Sequence, residues 1–149
     1  MKNIFSIFVL LFLVSAQGKE LTLLQKIGQV TQPDVRSITA EEVREYNNGS
    51  VLRGGGTLAG SDNDQDLELN TAYNWAQMVQ AYKESALNSE TKIPLLFAID
   101  AVHGHSNVTG ATLYPHNIGL GATQNANLLK KIGRATAWEI FVTGIDWNF

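Results

Sequence analysis

A parallel α/β sheet is the fold class predicted for this chain of 149 residues. Three observations predict it. Short apolar runs at 50–53, 95–99 and 145–149 alternate with longer stretches of helical period. The middle run, Leu95-Leu96-Phe97-Ala98-Ile99, is continuous, as suits a strand buried on both faces. Between the first two runs, Trp75, Met78, Val79, Tyr82 and Ala86 fall at i, i+3, i+4, i+7 and i+11, the clearest amphipathic helix in the chain. Two architectures satisfy this alternation, an open doubly wound sheet and a (β/α)8 barrel. Both put function on loops at the C-terminal ends of strands, so the loop after Ile99 is where a site is expected.

In chain order, the first eighteen residues are an export signal by layout. Lys2 is followed by an almost unbroken apolar run at 4–14 and by the small residues Ser15, Ala16 and Gly18, with cleavage expected after Ala16 or Gly18. The run is too short for stable membrane insertion, which takes about 20 residues. The expected location is therefore secreted or periplasmic. Thr22 and Gln25 then form a capping-box pattern, and Leu23, Ile27 and Val30 mark one apolar face of a helix that Pro33 stops. Thr39 and Glu42 repeat the capping box ahead of a short helix ending near Asn47-Asn48-Gly49. The first strand follows, closed by Gly54-Gly55-Gly56. After the amphipathic helix and the second strand comes a long loop, 100–122, which carries all three His. Asn125 caps a helix to about Val142, with Leu128, Ile132 and Ile140 as its buried candidates. Gly144 ends it, and a third strand begins at Ile145.

Composition excludes several functions. Acids outnumber bases 14 to 11, against the basic surplus of a nucleic-acid binder. With no Cys there are no disulfides, thiolate zinc sites or cysteine nucleophiles. No feature of the sequence sets an oligomeric state.

Four motifs invite chemistry. Gly54-Gly55-Gly56-Thr57-Leu58-Ala59 fits G-x-G-x-x-A after a strand, but 60–66 is acidic and lacks the helix N-terminus a pyrophosphate needs. A tight turn that lets backbone approach closely is the simpler reading. Asp62, Asp64 and Asp66 alternate like a calcium loop, yet Leu67 and Tyr73 stand where its Gly and Glu belong. His103-Gly104-His105 pairs two imidazoles after a strand, and with Asp100 and His116 it outlines a metal-dependent hydrolase. The alternative is that these His hold the loop by hydrogen bonds. Asp100 itself, just past a buried strand, points a carboxylate into the mouth of a sheet or barrel, where it either grips substrate hydroxyls or caps a loop. Two sequons, at Asn48 and Asn107, complete the inventory.

A longer match is more specific than these. The stretch Ile93-Pro94-Leu95-Leu96-Phe97-Ala98-Ile99-Asp100-Ala101-Val102-His103-Gly104-His105-Ser106-Asn107-Val108-Thr109, continuing through Tyr114-Pro115-His116-Asn117-Ile118-Gly119 to Thr123, resembles the N-terminal barrel of glycoside hydrolase family 3. Within that family it looks most like the β-glucosidases and exo-β-glucanases. Residues 21–30, 49–56, 75–87 and 128–144 agree in order and spacing, so the resemblance covers essentially all of 19–149.

The resemblance favours the (β/α)8 TIM-barrel-like glycosidase domain, with 19–149 supplying its first three or so β/α units. It implies retaining hydrolysis of β-glucosidic links in a β-glucan or oligosaccharide, from the non-reducing end, without a cofactor or metal. Two carboxyl groups about 5–5.5 Å apart serve as nucleophile and acid/base in that chemistry. The family's nucleophile, an Asp on a late strand, and its acid/base Glu are expected beyond Phe149, so no catalytic residue is expected within this chain; the alternatives are the metal-dependent hydrolase on His103 and His105 or a non-catalytic sugar-binding module. The same holds for its sugar-binding Arg and Lys-His pair. Asp100 matches the Asp that grips hydroxyls of the non-reducing sugar in the −1 pocket. His103, His105 and His116 match positions with a structural role. Glu139 and Asp146, the other acids near the chain's end, match no catalytic position.

Overall fold

The computed structural model describes residues 20–54, 59 and 67–149. Residues 1–18, read above as an export signal, Gly55 and Gly56 of the expected glycine turn, and the alternating Asp62, Asp64 and Asp66 lie outside the described residues.

Helix α1 spans Leu23–Val30 and opens on the expected capping box. Thr22 Oγ1 accepts from the Gln25 amide at 3.2 Å, and the Gln25 side chain accepts from the Thr22 amide at 3.0 Å. Its apolar face does not do what the sequence pattern suggests. Leu23, Ile27 and Val30 are 73%, 50% and 85% exposed, while Gln25 and Gly28 are buried. Backbone approach seats this helix instead of an apolar stripe. Gly28 lies against the Tyr46 and Asn47 carbonyls, where a Cβ would sit 2.1 and 2.8 Å from their oxygens. The Gly49 amide donates to the Gly28 carbonyl at 3.2 Å, and Gln25 Nε2 donates to Glu90 at 2.8 Å.

Helix α2, Ala40–Tyr46, starts at the second capping box and stops at Asn47, whose φ of 54° turns the chain left-handed. Strand β1, Ser50–Arg53, follows directly. Helix α3, Ala72–Leu87, is capped by Thr71 and buries Trp75, Val79 and Ala86, with Met78 and Tyr82 packed against the same core. The i, i+4, i+11 spacing of Trp75, Val79 and Ala86 is therefore the inward stripe of this helix, as expected. Strand β2, Leu96–Ile99, comes next.

The 100–122 loop is not irregular throughout, because Asn117–Ala122 forms a short helix, α4. Gly119 and Gly121 inside it each cost about 1 kcal/mol of helix propensity relative to Ala, and His116 makes no side-chain cap. Neither periodicity nor capping chemistry therefore announces α4 in the sequence. Helix α5, Ala126–Val142, begins where Asn125 Oδ1 accepts from the Leu128 amide at 3.0 Å. Of its three core candidates only Ile140 is buried; Leu128 is exposed and Ile132 is partly covered. Gly144, at φ 80°, turns the chain into strand β3, Trp147–Asn148.

The three strands form one parallel sheet in the order β1-β2-β3. Val51 pairs with Phe97 and Arg53 with Ile99, and Ile99 with Asn148. Side chains alternate across the sheet. Val51, Phe97 and Ile99 face the helices, with the Phe97 ring edge-on to Tyr82 at 5.9 Å. Leu52, Ala98 and Trp147 share the other face. There Ala98 is fully buried while Leu96 and Trp147 are 51% and 44% exposed, so the apolar run of β2 is covered on both faces except at Leu96.

A doubly wound sheet carries helices on both faces and reverses its strand order at a switch point. This sheet steps in one direction with its helices on one face, which is how a barrel wall is built. The N-terminal edge of β3 is locked by Asp146: one carboxylate oxygen accepts from the Phe97 amide at 3.0 Å and the other pairs with Lys83 at 2.7 Å.

Candidate functional site

Because Arg53, Ile99 and Asn148 are in register, the next residues, Gly54, Asp100 and Phe149, form one rim at the C-terminal ends of the strands. Asp100 follows Ala98 by two positions, so strand alternation puts it on the face away from the helices, the inside of a barrel wall. It is half-buried, and among the described residues none donates a hydrogen bond to its carboxylate. A carboxylate on that rim that no described residue engages can bind hydroxyls.

The backbone around Asp100 is held from both sides. The Ile99 carbonyl accepts from the Phe149 amide at 3.2 Å. Past Ile99, the Asn148 side chain replaces the backbone ladder. Its Oδ1 accepts from the Ala101 amide at 2.8 Å and its Nδ2 donates to the Ala101 carbonyl at 3.2 Å. Asn107 Nδ2 reaches the Asp100 carbonyl at 3.5 Å.

The loop beyond is anchored in the core. Trp75 Nε1, fully buried, donates to Asn70 Oδ1 at 2.6 Å and to the Asn107 carbonyl at 3.0 Å. The Thr109 amide donates to the Asn70 carbonyl at 2.8 Å. The sequence gives no sign of this network: Asn70 and Asn148 look like ordinary surface polar residues, and Arg53 like the last residue of a strand. Arg53 is in fact only 6% exposed. Burial raises the Tyr82 pKa, and the Arg53 charge opposes that rise. Asn48 and Asn107 are 4% and 5% exposed, so the folded chain presents neither sequon to a glycan.

The three His do not assemble a metal centre. His103 Nδ1 lies 2.8 Å from the Tyr114 carbonyl, which only accepts, so Nδ1 carries the proton. Its ring packs against His116 with centroids 4.3 Å apart. His105 is fully buried, edge-on to Trp75 at 5.6 Å. Thr143 Oγ1 already donates to the Ile140 carbonyl at 2.7 Å, so His105 Nε2 donates to that hydroxyl at 3.0 Å. The two imidazoles of the H-x-H pair therefore serve different elements, and among the described residues no three His, Asp or Glu converge as ligands. Glu139 ties the loop to α5 by accepting from the Thr112 amide at 3.1 Å.

Desolvation lowers the His105 pKa to about 4, against a smaller upward pull from Glu139. The neutral ring is thus built into the fold. Above the unfolded value of 6.5 both states hold it neutral and nothing is lost. As pH falls from 6.5 toward 4, only the unfolded chain takes up the proton, so stability drops. The full loss is on the order of 3 kcal/mol at about 1.4 kcal/mol per unit. Urea midpoints measured across this window are expected to fall with pH in the native protein. In His105→Gln that slope is expected to flatten; an unchanged slope assigns the effect to other groups.

Cavities open at both ends of the strands among the described residues. One of about 690 Å³, lined by Ala101, His103, Leu120, Ile140 and Asn148, opens beside the Asp100 rim. The larger, about 1060 Å³, lies between α1 and α2 near Asn48 and Ser89, at the N-terminal ends of the strands. Barrel enzymes place their chemistry at the C-terminal ends, so size does not decide between them.

Comparison with known proteins agrees with this geometry. Residues 22–149 match the model of the glycosyl hydrolase family 3 N-terminal domain. A lysosomal beta glucosidase of Dictyostelium discoideum is 30% identical over 87% of this chain and 17% of its own length. A periplasmic beta-glucosidase of Salmonella typhimurium is 28% identical over 88% of this chain and 15% of its own. Among solved structures, the exo-1,3/1,4-beta-glucanase ExoP from a Pseudoalteromonas species superposes with a TM-score of 0.76 and 39% identity, covering 97% of this chain and 17% of ExoP. The chain thus spans about one sixth of the length of these relatives.

Proposed function

This chain belongs to the glycosyl hydrolase family 3 N-terminal domain family, and on that premise we propose that it works as part of a longer β-glucosidase or exo-β-glucanase. Residues 22–149 supply three strands of its TIM-barrel-like wall and one side of the sugar pocket. The observation that carries this reading is the placement of Asp100: on the inner face, at the C-terminal rim, with a carboxylate that no described residue engages. There it accepts hydrogen bonds from two hydroxyls of the terminal glucosyl unit. A charged acceptor suits this task, because each such bond is worth about 1.5–3 kcal/mol and is lost outright when a hydroxyl is missing. The nucleophile and the acid/base come from parts of the enzyme outside this chain. Among the acids within it, Glu139 and Asp146 are occupied with structural bonds.

The enzyme cleaves by double displacement through a covalent glycosyl intermediate, so the β-configuration is retained. It acts from the non-reducing end, since a pocket closed around a terminal sugar admits only chain ends. Residues 1–18 direct it to export, in keeping with the periplasmic and lysosomal relatives. No described helix is long and apolar enough to cross a membrane.

Proton NMR of the first-formed product from a β-glucan oligosaccharide tests the reading. Single glucose units released as the β-anomer are expected. Release of the α-anomer, or of internal fragments, would overturn it.

A further inference from the structure

We infer that Asn148 is a positioning residue for Asp100, an inference that rests on the sugar-binding reading above and deepens it. Asp100 is the first residue beyond β2, where ladder hydrogen bonding by backbone alone ends. The direction of its Cα–Cβ bond is set by φ and ψ, and these are set by the two peptide planes that flank it. The plane before Asp100 is held by the Phe149 amide on the Ile99 carbonyl at 3.2 Å. The plane after it contains the Ala101 amide, and this is where Asn148 Oδ1 accepts at 2.8 Å.

Asn148 Nδ2 closes the clamp on the Ala101 carbonyl at 3.2 Å. One side-chain amide thus engages both polar groups of one residue, continuing the β2–β3 pairing one step past the strand. Only a primary amide does this, because it presents an acceptor and a donor side by side. The remaining bond on Asp100, from Asn107 to its carbonyl, is long at 3.5 Å and cannot fix the plane alone.

The consequence is a fixed carboxylate direction before substrate arrives. Orientation of a binding group is worth most when it is set in advance, since a displacement near 1 Å costs heavily in the transition state. Asn148 itself has its amide engaged on the backbone and need not touch the sugar.

A double-mutant cycle in the complete enzyme tests this, reading kcat/KM on an aryl β-glucoside together with the melting temperature. Asn148→Val keeps a strand-forming side chain but removes both clamp bonds. It is expected to lower kcat/KM about fivefold to tenfold in the native background, mostly in kcat, and less than about twofold in the Asp100→Ala background, where nothing is left to position. Equal losses in both backgrounds would show a purely structural role and overturn the proposal. If Asn148→Val does not fold, Asn148→Asp takes its place in the cycle. It keeps the acceptor for the Ala101 amide and loses the donor, and the same coupling is expected at smaller size. Native activity in Asp100→Ala alone would remove the sugar-binding reading, and with it the role built on it. A cycle without coupling, with Asp100→Ala inactive, removes only the role of Asn148.

Discussion

Asp100→Ala in the complete enzyme is expected to cut kcat/KM by at least about a hundredfold. The carboxylate sits on the inner rim with no described donor, so its hydrogen-bonding capacity is free for substrate. Two charge-assisted bonds at about 1.5–3 kcal/mol each bound the loss between roughly 3 and 6 kcal/mol. A factor of a hundred is the lower end of that range. Asp100→Asn retains one acceptor oxygen and is expected to lose about tenfold. If the grip tightens as the ring flattens toward an oxocarbenium ion, the loss falls on kcat more than on KM.

The effect has an internal control. A glucoside lacking the gripped hydroxyl gains nothing from Asp100, so native and Asp100→Ala enzymes should approach the same low rate on the appropriate deoxy substrate. Activity of Asp100→Ala within about threefold of native would show that the carboxylate does not hold sugar.

Much of this arrangement is legible in the sequence, and the pattern of what is missed is physical. Both capping boxes, the inward stripe of α3 and the C-cap turns at Asn47 and Gly144 are local chemistry, and the fold realises them where the sequence writes them. The position of Asp100 follows from strand alternation alone. Helix α1 misleads because an apolar period marks a face without saying what that face meets; its seat is made by Gly28 and Gln25, through backbone approach and a long-range bond to Glu90. The H-x-H pair misleads for a related reason. Spacing suggests convergence, but His105 is drawn to Thr143, thirty-eight positions away, and His103 to Tyr114. Asn148 and Asn70 are silent in the sequence because Ala101, which Asn148 clamps, and Thr109, which donates to the Asn70 carbonyl, are distant along the chain.

The site loop gives the second large prediction. Gly104→Ala is expected to destabilise the protein by about 4 kcal/mol, or to prevent its soluble expression. Two costs combine. Gly104 has φ of +110°, a conformation that costs a side-chain-bearing residue about 1–3 kcal/mol. Its new Cβ would also sit 2.1 Å from the Thr112 carbonyl oxygen, which is backbone and cannot swing aside. Forcing such a contact costs a further 1–3 kcal/mol, roughly, in backbone shifts.

Those shifts have nowhere neutral to go. The Gly104 carbonyl accepts from the Ser106 amide at 2.8 Å, and the neighbouring His103 carbonyl accepts from Tyr114 at 2.8 Å, so moving Gly104 pulls on both arms of the loop that begins at Asp100. Gly110 in the same loop separates the two costs. It too has positive φ, +87°, but a Cβ there meets nothing within 4 Å. Gly110→Ala should therefore lose only the conformational part, about 1–3 kcal/mol, and keep its kcat/KM. The difference between the two urea midpoints measures the Thr112 contact. Equal midpoints would mean that the loop yields freely around Gly104, and a loop that yields so easily would not hold the Asp100 rim in place.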